Sequence, residues 1–233
     1  MDAYGKGLLS YLNGNKKAKF KVESDIAETE YWPVAEFFHE YADMSLIERQ
    51  ALALCKGRTL DVGAGSGSHV LYLQNQGVDT HAIDISEGAV EVMRRRGVKC
   101  TEQIDFFCLE GRQYDTLLFL MNGAGIIGTI DRLPDFFAQV KTLLAPGGQV
   151  LMDSSDLKYL YEDEDGSFLV DLNADYYGEL EYTMSFAREK DAPFNWLFID
   201  FDTLQEAAEK CGFMCEKIYE DDHYQFLVRM TIV

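Results

Sequence analysis

The sequence predicts an α/β domain: a doubly wound, mostly parallel seven-stranded sheet with helices on both faces and a final antiparallel strand. Three observations predict it. Beyond residue 58, short apolar runs alternate with amphipathic segments, the pattern of a parallel sheet covered by helices. The first of those runs leads directly into a glycine-rich turn, Gly63-Ala64-Gly65-Ser66-Gly67. Two strand-like runs close the chain around the acidic turn Glu220-Asp221-Asp222.

The elements follow in order. The first strand is Arg58–Val62, and a helix runs from Ser68 to Gln76, stopped by Gly77. The second strand is Val78–Asp84; Ser86 then caps a helix that ends at Arg96 before Gly97. Val98–Ile104 is the third strand. Tyr114–Met121, apolar on both faces, reads as a central parallel strand. Residues 131–144 form the next helix, with Pro134 in its first turn; Pro146-Gly147-Gly148 breaks it before the fifth strand, Gln149–Asp153. Residues 154–200 interrupt the alternation as an insertion rich in acids and aromatics, with strand-like runs at Tyr177–Ala187 and Trp196–Ile199. Helix Asp202–Cys211 resumes the pattern, and strands Met214–Tyr219 and Tyr224–Val233 complete it. The segment 1–57 is expected to be helical in part, since Ile47–Leu54 spaces its apolar residues at a helical period, and to cap the domain 58–233.

Composition narrows the function classes. The 40 acidic residues against 21 basic ones give a net charge of −19, which argues against a nucleic-acid partner. Lys16, Lys17, Lys19 and Lys21 form one basic cluster; Arg94, Arg95 and Arg96 point around a helix end, where the macrodipole accounts for cations. The five cysteines are odd in number and lack a C-x-x-C, so buried free thiols in a cytoplasmic protein are expected. No His or Cys pair has ligand spacing, and no metal site is expected. The N-terminus lacks a secretory pattern, and no apolar run approaches a membrane span.

The run Leu60–Gly67, LDVGAGSG, carries the chemistry, together with Asp84 seventeen residues after Gly67. A glycine turn between strand and helix, followed by a strand-end acid, is a nucleotide-cofactor arrangement. The glycines let the backbone approach a ligand closely, and the following helix offers free N–H groups. A dinucleotide pattern requires a third glycine at position 68, where this chain has Ser68; its third glycine is Gly67. This D-x-G-x-G-x-G pattern resembles the first motif of class I S-adenosylmethionine (SAM)-dependent methyltransferases. The closing hairpin strengthens the resemblance, because that family's seventh strand is antiparallel. The likeness covers residues 58–153 and 201–233.

The resemblance implies a set of cofactor residues. Asp61 would meet the methionine amino group, beside Gly63, Ala64, Gly65 and Gly67. Asp84 would accept from the ribose hydroxyls, with Ile85 near the adenine. Asp105 would bond the adenine amino group, with Glu102 as its competitor, and Phe106 would cover the ring. Asn122 and Gly123 end the fourth strand, where open α/β sheets place ligands. The absence of proline after Asn122, and of a Pro-Cys dipeptide, departs from the nucleic-acid-methylating patterns. Among His39, His69, His81 and His223, the last is the candidate base, because its turn should reach the ligand edge of the sheet; His81 reads as structural. The insertion's Asp153, Asp156, Tyr159, Tyr161, Tyr176, Tyr177 and Trp196 would suit a cationic or aromatic acceptor, making 154–200 a substrate-side lid. The expectation is methyl transfer to a small molecule. A SAM-binding protein without catalysis and a nucleotide-linked oxidoreductase are the alternatives, and the oligomeric state stays open.

Overall fold

The computed structural model describes residues 2–26, 28–161 and 176–233. The N-terminal segment contains α1 (Ala3–Leu12), β1 (Lys19–Ser24), β2 (Glu30–Pro33), 3-10 turns at Val34–Phe38 and Tyr41–Asp43, and α2 (Leu46–Leu54). It is therefore not simply helical. β1 lies between alternating half-buried positions, with Phe20 and Val22 inward and Lys19 outward. That period of two defines a strand with one buried face.

The main domain follows with β3 (Thr59–Val62), α3 (Ser68–Asn75), β4 (Thr80–Asp84), α4 (Glu87–Arg96), β5 (Thr101–Gln103), β6 (Tyr114–Phe119), α5 (Leu133–Leu143) and β7 (Leu144–Ser155). The insertion adds β8 (Glu179–Phe186), β9 (Glu189–Lys190) and β10 (Phe194–Leu197), and the chain ends with α6 (Phe201–Lys210), β11 (Phe213–Glu220) and β12 (Gln225–Ile232). The seven-stranded sheet has the order β11-β12-β7-β6-β3-β4-β5. β3 to β7 pair in parallel, and β12 runs antiparallel to both β7 and β11. The third strand is shorter than expected, three residues, because Val98 turns into a buried cluster with α3 and α4. β7 starts five residues early, at Leu144. Its register against β6 jumps from Leu144 to Gln149, so the Pro146-Gly147-Gly148 break survives as a bulged stretch.

Both faces of the sheet are covered, and alternation along the strands decides which residues go where. Leu60, Val62, Leu117, Phe119, Val150 and Met152 pack on one side with Phe136, Phe137 and Val140 of α5 and Leu204 of α6. Leu118, Leu120, Leu151 and Leu227 face the other way, onto Ile47, Ala51 and Leu52 of α2 and Leu73 of α3. Each fully buried Leu or Phe contributes about 1.5–3 kcal/mol, so a one-residue slip in any central strand would be strongly disfavoured.

A second, antiparallel sheet joins the two segments that break the α/β alternation. Its order is β10-β8-β1-β2, with β9 on β8. β1 pairs with β8 from Lys21 opposite Ser185 to Ser24 opposite Tyr182. The N-terminal segment and the insertion are thus one layer, built by strand pairing across the whole length of the domain. Phe20, Val22 and Met184 of this layer pack with Leu8 of α1 and with Ala89 and Val92 of α4. At its other end, Trp196 of β10 lies on the 3-10 turn Gly123–Ile127, so closely that a Cβ on Gly125 would stand 2.0 Å from the indole. The insertion residues 162–175 and the Tyr161 side chain fall outside the described residues. Among the described residues, no helix is long and apolar enough to cross a membrane.

Candidate functional site

The carboxyl ends of β3, β4, β6 and β7 place four groups of functional residues along one edge. The glycine turn starts it. Gly63, Gly65 and Gly67 have φ of 69°, 56° and 83°, a region other residues enter only with strain. Ala64 is buried beneath the turn. Two backbone N–H groups, of Gly63 and Ala64, donate to Ile83 O at 3.0 Å and fasten the turn to β4. A Cβ on Gly65 would lie 2.6 Å from the Tyr4 hydroxyl, so α1 supplies a wall of the cradle. The Tyr4 ring is itself packed on Phe20 and Phe37.

Asp84 ends β4 and holds this geometry. Its Oδ2 accepts from Gly65 N at 2.9 Å and its Oδ1 from Ser86 N at 2.8 Å. Burial pushes its carboxyl up to about 6, against the backbone donors of Ser86, Gly65 and Ile85, which pull the other way. Asp61 ends β3, also buried, and its Oδ2 has no hydrogen-bond partner among the described residues. Burial raises its carboxyl to about 6 as well. A buried carboxylate oxygen without a donor costs roughly 1–3 kcal/mol, so Asp61 presents an acceptor waiting for a cationic or N–H group. Ile85 projects outward beside Asp84 with 72% of its surface exposed.

At the end of β6 the backbone is strained. Met121 and Asn122 both have positive φ, 64° and 56°. Such left-handed non-glycine residues persist only where surrounding contacts fix them. Here Asp153 at the end of β7 does so, accepting from Asn122 N at 3.0 Å and Gly123 N at 2.8 Å. Asn122 Nδ2 donates to Leu197 O, which ties the turn to β10, while its buried Oδ1 has no hydrogen-bond partner among the described residues. Burial raises Asp153 to about 6 too. Three desolvated carboxylates therefore stand at the carboxyl ends of β3, β4 and β7, an environment suited to a cationic ligand.

The remaining sequence candidates separate. Asp105 is exposed and accepts from Phe107 N as the cap of a short 3-10 turn. Phe106 is buried in the core against Phe107, Phe119 and Phe136, and Ile85 is the outward apolar side chain at this end. Glu102 is engaged by Arg112 and His81. His81 also meets the Tyr114 hydroxyl at 2.6 Å inside the sheet, in keeping with a structural role. His223 sits exposed in the β11–β12 turn, its backbone N–H on Asp221, and no described contact joins it to the glycine turn. The insertion's acids and tyrosines pair with one another: Tyr177 with Asp156 at 2.7 Å and Tyr176 with Asp200 at 2.6 Å, while Tyr159 stacks on Tyr224. Of the five cysteines, all free, only Cys215 is buried, and Cys100 and Cys108 are exposed.

Sequence reasoning missed the clamp on the glycine turn. Arg96 donates to Ser66 O at 2.8 Å and to the hydroxyls of Ser66 and Ser68, and lies over Phe38. The Ser66 and Ser68 hydroxyls also donate to Phe37 O. A loop 30 residues away thus locks the cradle, and no local motif signals it. Sequence reasoning also missed Glu48 as a partner of His69. Its carboxylate accepts from Ser45 N as an N-terminal cap and meets His69 Nε2 at 2.8 Å, inside the same edge.

Comparisons with known proteins identify the family. A methyltransferase-domain family model matches residues 60–150, the span from within β3 into β7. A SAM-dependent methyltransferase from Bacteroides fragilis, solved with S-adenosyl-L-homocysteine, is 45% identical, with a TM-score of 0.94 over 100% of this chain and 95% of that one. The chain belongs to the SAM-dependent methyltransferases. The CcbJ methyltransferase from Streptomyces caelestis shares the fold at 17% identity and a TM-score of 0.61, over 82% of this chain and 98% of that chain. No curated protein matches the sequence. SAM is the cofactor of this methyltransferase, and the dinucleotide alternative falls. The cradle fits SAM chemically: an orphaned buried carboxylate at Asp61 answers an ammonium, and the positive-φ glycine turn presents bare backbone at the strand edge.

Proposed function

We propose that this methyltransferase acts on a small-molecule acceptor, and that Asp61, the Gly63–Gly67 turn, Asp84 and Ile85 hold the cofactor, with Asn122, Gly123 and Asp105 as further contacts. The observation that carries the acceptor class is the covering of the strand edge. Tyr4 of α1 stands over Gly65 at one end, and Trp196 of β10 stands over Gly125 at the other. A polymer lying across this edge would meet both, whereas a small molecule can be enclosed between them. The net charge of −19 works in the same direction against nucleic acids. Two proteins of the same fold at 16% identity, an amino pentose methyltransferase and a sugar N-methyltransferase, provide support by analogy only.

SAM brings an activated methyl on a sulfonium centre. The chain's own residues have to bind, orient the acceptor and exclude water. Asp61 takes the ammonium, and Asp84 accepts from the ribose while keeping Gly65 and Ser86 in place. The three buried carboxylates offset the positive charge of the cofactor. Asn122 Oδ1, buried and unpartnered, is the polar atom at the end of β6 available to an acceptor N–H or O–H. The test is release of S-adenosyl-L-homocysteine across a panel of amines, amino sugars and phenols, set against tRNA and DNA oligonucleotides. Turnover with a small molecule and none with nucleic acid is expected. Turnover with nucleic acid alone would overturn the reading.

A further inference from the structure

We propose that His39, Glu48 and His69 form a binding site for one divalent transition-metal ion of the zinc type, at the rim of the methyl-transfer edge. The three side chains come from separate elements. His39 follows the turn Val34–Phe38, Glu48 lies in the first turn of α2, and His69 lies in the first turn of α3. Glu48 Oε1 is 2.8 Å from His39 Nε2 and 2.8 Å from His69 Nε2, and all three donor atoms fall within 4.8 Å of one another. Two imidazoles converging on one carboxylate oxygen is a two-histidine, one-carboxylate donor set.

The groups behind these donors hold them in place. His39 Nδ1 lies 2.7 Å from Glu36 O, which makes Nδ1 a donor; in the neutral ring Nε2 then carries its lone pair inward. His39 Nε2 is nevertheless a buried atom with no hydrogen-bond partner among the described residues, despite its closeness to Glu48. A lone pair facing a carboxylate is repulsive; a proton on Nε2 or a cation between the two relieves it. Glu48 Oε2 is occupied by Ser45 N, so Oε1 is the oxygen left to bind. Tetrahedral coordination at about 2.0–2.1 Å separates donors by roughly 3.3 Å. The two 2.8 Å gaps need open by only about half an ångström, a shift that side-chain torsions supply.

Glu48 and His69 are buried, and the site retains some access through His39, whose side chain is 14% exposed. The carboxylate of Glu48 and the ring of His69 both act electrostatically on Asp153, and His69 also acts on Asp61, so the ion would sit beside the acids of the strand edge. What the ion does there rests on the methyl-transfer reading above: with three protein ligands, it keeps an open position for an acceptor oxygen or nitrogen and lowers that group's pKa. Local spacing could not show the site, because its donors are spread over 31 residues and join only when α2 and α3 pack.

The test reads metal binding without cofactor or acceptor, so its outcome is separate from that of the methyl-transfer assay. Apo protein, stripped with chelator, is titrated with Zn2+ and with Co2+ in a large excess of Mg2+, which saturates weak binding to the acidic surface. One equivalent of saturable binding is expected, with the visible Co2+ bands of a four- or five-coordinate ion. His39→Ala, His69→Asn and Glu48→Gln should each weaken it by at least about tenfold, since even outer-shell partners of metal ligands are worth about 10–100-fold. Glu48→Gln retains an acceptor for Ser45 N, and His39 is peripheral, so at least one variant keeps the fold; thermal melts confirm which. No saturable binding by the wild type, or equal binding by folded variants, would overturn the proposal and leave an imidazolium–carboxylate pair in its place.

Discussion

At the residue scale, burial sets the charge state of Asp61 and Asp84, the two acids proposed to hold the cofactor. Both have folded-state values near 6, above their ordinary value of 3.8. Their ionised forms therefore destabilise the fold at pH 7, by about 3 kcal/mol each as an order of magnitude. That cost fades as pH falls through 6 and is gone below 3.8. A cationic cofactor needs the ionised forms, so SAM binding should weaken as pH drops from 7.5 to 5, with proton uptake on the free protein. Calorimetric titrations at several pH values check this, and an affinity that rises toward pH 5 would contradict it. Asp84→Asn keeps the size of the side chain but loses charge-assisted acceptance, worth about 1.5–3 kcal/mol, so SAM affinity should fall about 10- to 100-fold. Asp61, Asp84 and the glycines were legible because strand-end position and spacing encode them. The core position of Phe106 was not legible, because a strand end uncertain by one residue reverses which face a side chain takes. Tyr4, Glu48 and Arg96 were not legible, since their partners lie 20 to 60 residues away in sequence and meet only by packing.

At the element scale, two glycines mark where helices and strands close on each other. Gly88 of α4 meets Gly5 of α1, where a Cβ would lie 2.5 Å from the Gly5 Cα. Gly88→Ala should push α1 off α4, destabilise the protein by about 1–3 kcal/mol, and lower SAM affinity through loss of the Tyr4 wall; paired denaturant melts and titrations measure both. Gly125→Ala would drive a methyl into Trp196, displacing β10 from the strand edge. Its expected effect is on acceptor turnover, with SAM affinity nearly unchanged, seen as a raised acceptor KM. The parallel strands and their helices were readable because each carries its own signal: Ser86 and Gly97 around α4, and Pro134 at the start of α5. The second sheet was not, because β1 and β8 are separated by more than 150 residues and neither carries a turn that names the other.

At the scale of the whole molecule, one α/β sheet carries the candidate cofactor edge, and one antiparallel layer, made from the N-terminal segment and the insertion, lies over it. Their junctions are Tyr4 on the glycine turn and Trp196 on the β6 turn, so cofactor and acceptor enclosure depend on the same layer. Charge and covering carry the proposed acceptor class, whereas the glycine motif bears only on the donor. The central claim is that the Gly63–Gly67 cradle with Asp84 binds SAM. Isothermal titration of the wild type and Asp84→Asn with SAM, S-adenosyl-L-homocysteine and NAD tests it most directly. The account predicts one-to-one micromolar binding of SAM and S-adenosyl-L-homocysteine, at least about tenfold weaker in the variant, and no binding of NAD. NAD binding in place of SAM, or an unchanged SAM affinity in Asp84→Asn, would contradict it.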